Sequence, residues 1–403
     1  MKLEIKNFGP IKEGKIETKK VTVLIGNQGS GKSTVAKLLA TFCWIEKDVF
    51  RRGYSEEIES EIKKRFNAFW DYHRLSNYLK GVSHITYAGP VLKIDFKNWV
   101  DGNSTVKPIN NVKYSLPKIT YFPAERNFLS SIKKSKQGQD FTLWTQSLQE
   151  FKEIFQDAKD NMKGTLRLPI NDIDVEYDNF KEVLYVKGKD YKIPLSESAS
   201  GFQSFVPMFV VADYLSKMLQ SEYEMSSSER DMFKKESAEI LNNPIFTDEQ
   251  KRMLLSNLAK KINVSRTINI IEEPEQNLFP TSQRSMLNSL LEFNNAVSGN
   301  RLILTTHSPY ILSYLMLVIQ AAEIKEKAKG NPEILSKLYE IVPEKAITPM
   351  KDVVVYELND DGTISELPQS YGLPSNDNFL NNELGKTNTL FSELMDIEDL
   401  CDE

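Results

Sequence analysis

Val21-Thr22-Val23-Leu24-Ile25-Gly26-Asn27-Gln28-Gly29-Ser30-Gly31-Lys32-Ser33 is the stretch from which the rest of the chain is read. Val21 to Ile25 is a continuous apolar run without alternation, as in a strand covered on both faces. Gly26 ends it. Gly26 to Ser33 matches G-x-x-x-x-G-K-[ST], a pattern whose glycines let backbone N–H groups curl around phosphate oxygens at a helix N-terminus. Val35, Leu38, Leu39 and Phe42 follow at helical spacing. Strand, loop and helix therefore stand in the order that a phosphate loop needs, which a plain Gly-rich turn would not require. Gly26, Asn27, Gln28, Gly29, Ser30, Gly31, Lys32, Ser33 and Thr34 form the expected nucleotide-binding run. Within it Lys32 neutralises the β- and γ-phosphates, and the Ser33 hydroxyl is the first candidate contact for Mg²⁺.

Such a loop needs an acidic partner at the tip of a neighbouring strand. Thr267-Ile268-Asn269-Ile270-Ile271-Glu272-Glu273 supplies one, with Glu272 over the metal and Glu273 placed to orient the attacking water as general base. A solvated acidic turn is the plainer reading, and Pro274-Glu275 immediately after counts against it. Arg301 to Thr305 reads as a further strand, and His307 stands just beyond its C-terminal end, where ligands gather in α/β folds. His307 is the candidate to bond the γ-phosphate and report its loss. His73 and His84 read as structural.

Composition sets the frame for this site. The 403 residues hold 51 Lys and Arg against 56 Asp and Glu, a net charge of −5, with 40% hydrophobic and 27% charged residues. That is ordinary for a globular protein and excludes collagenous and disordered classes. Two cysteines, Cys43 and Cys401, exclude a Cys-rich zinc cluster and suit a reducing, cytoplasmic home. No secretory signal and no apolar run of membrane-spanning length is expected. Mild acidity leaves any DNA contact to a local basic patch.

Outside the site, Leu3 to Phe8 and Lys15 to Glu17 read as strands, and Glu57 to Tyr78 as a helix. A strand pair is expected near His84 to Phe96, a strand at Ile119 to Phe122 and a helix over Leu143 to Phe155. A β-like patch at Val175 to Ile193 leads to Ser196–Ser204 and an apolar helix through Leu215. Residues 216–265 read as charged helices broken at Ser226-Ser227-Ser228 and Asn242-Asn243-Pro244. Val353 to Leu358 and Thr363 to Leu367 make a hairpin across Asn359-Asp360-Asp361-Gly362. Ser392 to Glu403 carries six acids and no base. With Leu394, Met395, Ile397 and Leu400 among them, that tail reads as a dock for a basic partner, as a decoy in the protein's own DNA groove, or as a disordered solubilising segment.

Together the Walker A run, Ser200-Gly201-Phe202-Gln203, Glu273 and His307 resemble an ABC-class ATPase head, on its RecF/SMC side. The chain is most similar to OLD-like AAA ATPases, whose Glu-Glu-Pro-Glu and Thr-His-Ser-Pro phrases read here as Glu272 to Glu275 and Thr306 to Pro309. The resemblance implies an α/β P-loop NTPase fold: an ABC-type head with a mixed sheet, N-terminal antiparallel strands and a helical insertion. Residues 1–125 would form its N-terminal part with a variable insertion at 51–110, 126–215 a helical signature lobe, 216–265 the helical insertion, and 266–403 the C-terminal part.

It further implies a head-to-tail homodimer in which Ser200 and Gly201, with Gln203, close on ATP and Mg²⁺ held by the other copy. Gln276-Asn277-Leu278-Phe279-Pro280 takes the D-loop position and should cross that interface. Assembly above the dimer is left open. Glu125 and Arg126 stand where the family's Q-loop glutamine would be, so either senses metal or phosphate, and Glu125 is counted as a metal contact. The signature lacks the double glycine of transporter ATPases.

Three rivals are weighed against an ATP-dependent dimeric switch. A transporter ATPase lacks its membrane span here, and a self-contained nuclease lacks room after His307, since Asp360-Asp361-Gly362 reads as a turn. A DNA-repair or chromosome-maintenance clamp would use Lys133, Lys134 and Lys136, or Lys251, Arg252, Lys260, Lys261 and Arg266. The chosen reading resembles the ATPase subunits of bacterial anti-phage defence systems, the PtuA and AriA families, which work with a separate effector, a nuclease or toxin.

Overall fold

The computed structural model describes residues 1–98, 104–109, 114–131, 144–220, 227–243, 246–247, 250–252, 254–255, 258 and 264–402. The first strands are Lys2–Phe8 (β1), Ile11–Glu17 (β2) and Val21–Gly26 (β3), followed by helices Lys32–Arg52 (α1) and Glu56–Tyr72 (α2). Leu79–Ala88 (β4), Leu92–Asn98 (β5) and Thr105–Pro108 (β6) form an antiparallel run, and Pro117–Phe122 (β7) follows. After the short helix Phe128–Ser131 (α3) and Gln146–Asp160 (α4) come Thr165–Arg167 (β8), Asp174–Asp178 (β9), Val183–Lys187 (β10) and Lys192–Pro194 (β11). Ser200–Gln220 (α5) and Ser227–Asn242 (α6) precede Arg266–Glu272 (β12), Pro280–Asn295 (α7) and Arg301–Thr305 (β13). Pro309–Lys327 (α8), Pro332–Ile341 (α9), Val353–Leu358 (β14), Thr363–Glu366 (β15) and Phe379–Asp402 (α10) complete the elements used below.

One 11-stranded mixed sheet runs β6-β5-β4-β1-β2-β15-β14-β3-β13-β12-β7, with β8 to β11 in a separate four-stranded sheet. The pairs from β14 through β3, β13 and β12 to β7 are all parallel, whereas β2, β1, β4, β5 and β6 pair antiparallel. Strands from 1–125 and 266–403 thus interleave in one sheet. The stretch 51–110 supplies α2 and extends that sheet beyond β1.

Both faces of the parallel half are covered. Val21, Val23 and Ile25 of β3 join a core with α4, α5, α7 and α8, while Leu24 joins a second core with α1, α2 and the antiparallel strands. This is why β3 reads as an unbroken apolar run: every residue in it is buried. The strand and helix around the phosphate loop, the Arg301–Thr305 strand and the turn at Asn359 to Gly362 form as their sequence implies. Gly362 adopts φ +85°, and a Cβ there would meet the Pro10 carbonyl oxygen at 2.7 Å.

Differences from the sequence reading have local causes. The helix expected to run to Tyr78 stops at Tyr72, because Arg74 takes φ +55°. Its N–H donates to the Asp71 carbonyl at 3.0 Å, and that of Leu75 to Trp70 at 2.7 Å. That is a Schellman stop built without glycine and closed by burial of Leu75. The next helix starts at Gln146, since the Thr145 hydroxyl accepts the Leu148 N–H at 3.2 Å, and extends to Asp160. The acidic tail is helical through Asp402. Lys133, Lys134, Lys136, Lys260, Lys261, Leu143, Ser226 and Pro244 lie outside the described residues.

Trp70 is fully buried, with the rings of Phe96 at 5.1 Å, Phe8 at 5.8 Å, Phe66 at 5.9 Å and Phe42 at 6.1 Å. Trp70→Ala is therefore expected to cost about 3–5 kcal/mol in urea denaturation. A loss under about 1 kcal/mol would mean that this cluster does not hold α2 on the sheet.

Candidate nucleotide-binding site

The phosphate loop is shaped by what surrounds each glycine. Gly26 has φ +140°, and a Cβ on it would lie 2.4 Å from the Leu358 carbonyl oxygen, because β14 runs alongside. Gly31 has φ +104°, with Ile11 Cγ1 at 2.9 Å from the place of a Cβ. Side chains are excluded at both positions. Lys32 is buried, and its Nζ donates to the carbonyls of Gly26 at 2.9 Å and Asn27 at 2.7 Å. Burial brings its pKa down to about 8 against the opposing pull of Glu273 and Glu275.

The residues fit a phosphate ligand. The Ser30 hydroxyl is buried with no hydrogen-bond partner, and the first N–H groups of α1 have no carbonyl to receive them within the helix. An anion at this place would satisfy both. Among the described residues no group of three or more His, Cys, Asp or Glu forms a ready metal cage.

Three parallel strands carry the remaining groups. Glu272 stands opposite Thr305, and Thr305 opposite Leu24, so the tips of β12, β13 and β3 lie side by side. The buried Glu272 carboxylate accepts from the Tyr121 hydroxyl and, at 3.4 Å, from the Ala124 N–H. Glu273 turns out of the strand with φ +42°, a left-handed backbone rare for such a residue, held by its N–H to the Thr305 carbonyl at 3.0 Å. One Glu273 carboxylate oxygen lies 3.7 Å from His307 Nε2, and both side chains are partly exposed. Burial, and secondarily Lys32, hold the His307 pKa below its usual value, so the imidazole is neutral at pH 7.

Two residues hold this arrangement in roles that the sequence did not give them. Glu275 is partly buried, and its Oε1 accepts from the Thr306 hydroxyl at 2.7 Å and the His307 N–H at 2.8 Å. Arg126, fully buried, donates Nη1 to the carbonyls of Glu272 at 2.6 Å and Pro123 at 3.1 Å. Its Nη2 reaches the Glu273 carbonyl at 2.6 Å, and Nε the Ser204 carbonyl at 3.1 Å. Burial lowers its pKa to about 10, which leaves it charged at pH 7. Arg126 is thereby a clamp rather than a sensor, and Glu125, one position before it, is exposed. The third acid of Glu-Glu-Pro-Glu was the only hint in the sequence of the role of Glu275.

Ser200 is exposed at the first position of α5. A Cβ on Gly201 would meet the Asn277 carbonyl oxygen at 2.8 Å, and the Asn277 amide, from a residue at φ +59°, donates to the Ser204 hydroxyl at 3.0 Å. The signature turn and the D-loop are therefore one packed unit. Gln203 braces it from within: its Nε2 donates to the Ser198 and Ser196 carbonyls at 2.8 and 3.2 Å, and its Oε1 accepts from Ser130 at 3.2 Å. Of the other named residues, His73 is buried, His84 bonds Asp95 at 2.6 Å, and Arg266 stacks over Tyr114 at 5.3 Å.

The loop, the acidic strand tip and the neighbouring histidine define a P-loop ATPase domain. The model of the AAA ATPase domain family matches residues 1–165 and 45–312, and the chain belongs to that family. Among solved structures, the SMC head domain from Thermotoga maritima is similar at 11% identity over 92% of this chain and 98% of that one, with a TM-score of 0.35. The recombination mediator protein RecF of the RecFOR pathway is similar at 12% identity over 91% and 97%, with a TM-score of 0.30. A nucleotide-free cassette from an ABC transporter gives 11% identity over 92% of each chain and a TM-score of 0.28. No curated protein matches. No helix among the described residues is long and apolar enough to cross a membrane.

Arg126→Ala would leave the carbonyls of Glu272, Glu273 and Ser204 without their donor, so a stability loss of about 3–5 kcal/mol is expected in denaturant titration. Glu275→Ala should lower the ATPase kcat by about 10–100-fold through misplacement of His307, whereas Glu275→Gln, which keeps the Oε1 acceptor, should restore most of it. Equal rates for both variants would show that Glu275 does not position His307.

Proposed function

We propose that this protein is an ATP-binding and ATP-hydrolysing switch that works as a homodimer with nucleotide between the copies. The observation that carries the reading is a division of the pocket. Gly26 to Thr34, Glu273 and His307 converge on one side, while Ser200 and Gly201 sit with the D-loop and, among the described residues, share no hydrogen bond with Gly26–Thr34. A second copy, related by two-fold symmetry, would complete each site with its own Ser200 and the N-terminus of α5. Phe279, 72% exposed at the end of the D-loop, is the kind of apolar side chain such an interface covers.

Each residue then has a task. Lys32 leaves the loop carbonyls for the β- and γ-phosphates, and the loop N–H groups take the remaining oxygens. Ser33 and Glu272, with Glu125 beside them, would hold Mg²⁺, which when bound neutralises charge on the phosphates. Glu273 accepts a proton from the attacking water, and neutral His307 bonds the γ-phosphate. Because Arg126 joins the ends of β12 and α5, a change at Glu273 is felt at the signature turn.

The Glu-Glu-Pro-Glu and Thr-His-Ser-Pro phrases support a place in anti-phage defence, in the cytoplasm, with hydrolysis governing a separate nuclease or toxin effector. Glu273→Gln is expected to bind ATP and remain dimeric by light scattering, with kcat lowered at least about 100-fold. Lys32→Ala should bind no nucleotide. Wild-type turnover by Glu273→Gln would refute the base assignment, and an ATP-loaded monomer would refute the shared pocket.

A further inference from the structure

The final helix is anchored only at its base. Asn378, buried, accepts the Asn381 N–H on its side chain at 3.1 Å, and the Phe379 N–H donates to Glu357 of β14. Phe379 and Leu380 pack into the core. From Asn382 through Asp399 every residue of α10 is exposed. Its 24 residues span about 36 Å, and in proteins most of the stability of a helix comes from packing an amphipathic face.

The exposed apolar side chains are not scattered. Leu390, Leu394 and Ile397 recur at i, i+4 and i+7, and Leu384, Phe391 and Met395 flank them on the same broad stripe. Leu394 is 63% exposed, Phe391 65% and Ile397 57%. Glu393, Asp396 and Asp399 lie off the stripe, whereas Glu398 falls within it, four residues after Leu394 and seven after Phe391. Lys386, the one base between Phe379 and Glu403, is already paired with Glu383.

We propose that α10 is a docking helix for a protein partner whose apolar groove is rimmed by Lys and Arg. Charge decides the occupant. A second copy would set acids against acids on both sides of the stripe, which costs affinity and specificity. An anionic membrane would repel the same carboxylates. A basic-rimmed groove takes the stripe as anchor and the acids as its complement, in the helix-in-groove manner. Glu357 lies opposite Ile25 in the sheet, one residue before Gly26, so the base of the helix stands on the strand next to the one that leads into the phosphate loop. The proposal holds whether or not nucleotide drives dimerisation.

The probe is a labelled synthetic peptide of leucine heptads flanked by lysines, followed by fluorescence anisotropy on the full nucleotide-free chain. Wild type is expected to bind it, more weakly as salt rises. The double variant Leu394→Ser, Ile397→Ser should bind about tenfold more weakly or worse while retaining ATP binding, which shows that the fold is intact. A scrambled peptide of the same composition should bind no better than the variant does. Equal affinity for both proteins, or for both peptides, overturns the proposal. So does a nucleotide-free wild-type dimer that the double variant turns into a monomer, which would make a second copy the occupant.

Discussion

A guanidinium with no access to solvent holds the working parts of this molecule together. Arg126 keeps its charge in the interior because backbone carbonyls from three segments converge on it: Pro123 after β7, Glu272 and Glu273 at the end of β12, and Ser204 in α5. A buried cation without such acceptors would be very costly. Those carbonyls lie after β7, at the end of β12 and in the second turn of α5, and two of them, at Pro123 and Glu273, also accept a backbone N–H, from Arg126 itself and from Gln276. The clamp therefore sets the distance between the acidic strand tip and the signature turn, two places that are remote in sequence.

The sheet supplies the second constraint. Its parallel half brings β3, β13 and β12 together so that the phosphate loop, His307 and Glu273 emerge from adjacent tips on one edge. Glu273 is forced into a left-handed backbone to leave the strand. Such strain survives only where neighbours over-determine it, and here the Thr305 carbonyl and Arg126 do so. Glu275 then takes the backbone of His307, so two acids two positions apart have different tasks: Glu273 stands beside the imidazole, and Glu275 holds the backbone that carries it.

What faces outward is as informative as what is held. Ser200, Phe279 and the residues of α10 from Asn382 to Asp399 are exposed. They are not equivalent. The signature turn offers helix N–H groups that suit an anion, whereas α10 offers an apolar stripe set among carboxylates, which suits a cationic groove.

The phosphate loop, the strand and helix on either side of it, the acidic strand ending in Glu272 and Glu273, and the position of His307 after its strand are legible in the residue order. These are local: each depends on the order of residues within a short window, where glycine spacing and apolar periodicity act directly. Tertiary structure alone decided that Arg126 is a clamp and Glu125 the exposed neighbour, that Glu275 supports His307, and that the chain's two ends interleave in one sheet. It also decided that helix α2 stops at a residue with no glycine to announce it. For Arg126, Glu275 and the interleaved sheet the outcome turns on which distant carbonyl, side chain or strand lies within reach once the chain has packed, and no window of sequence contains that partner.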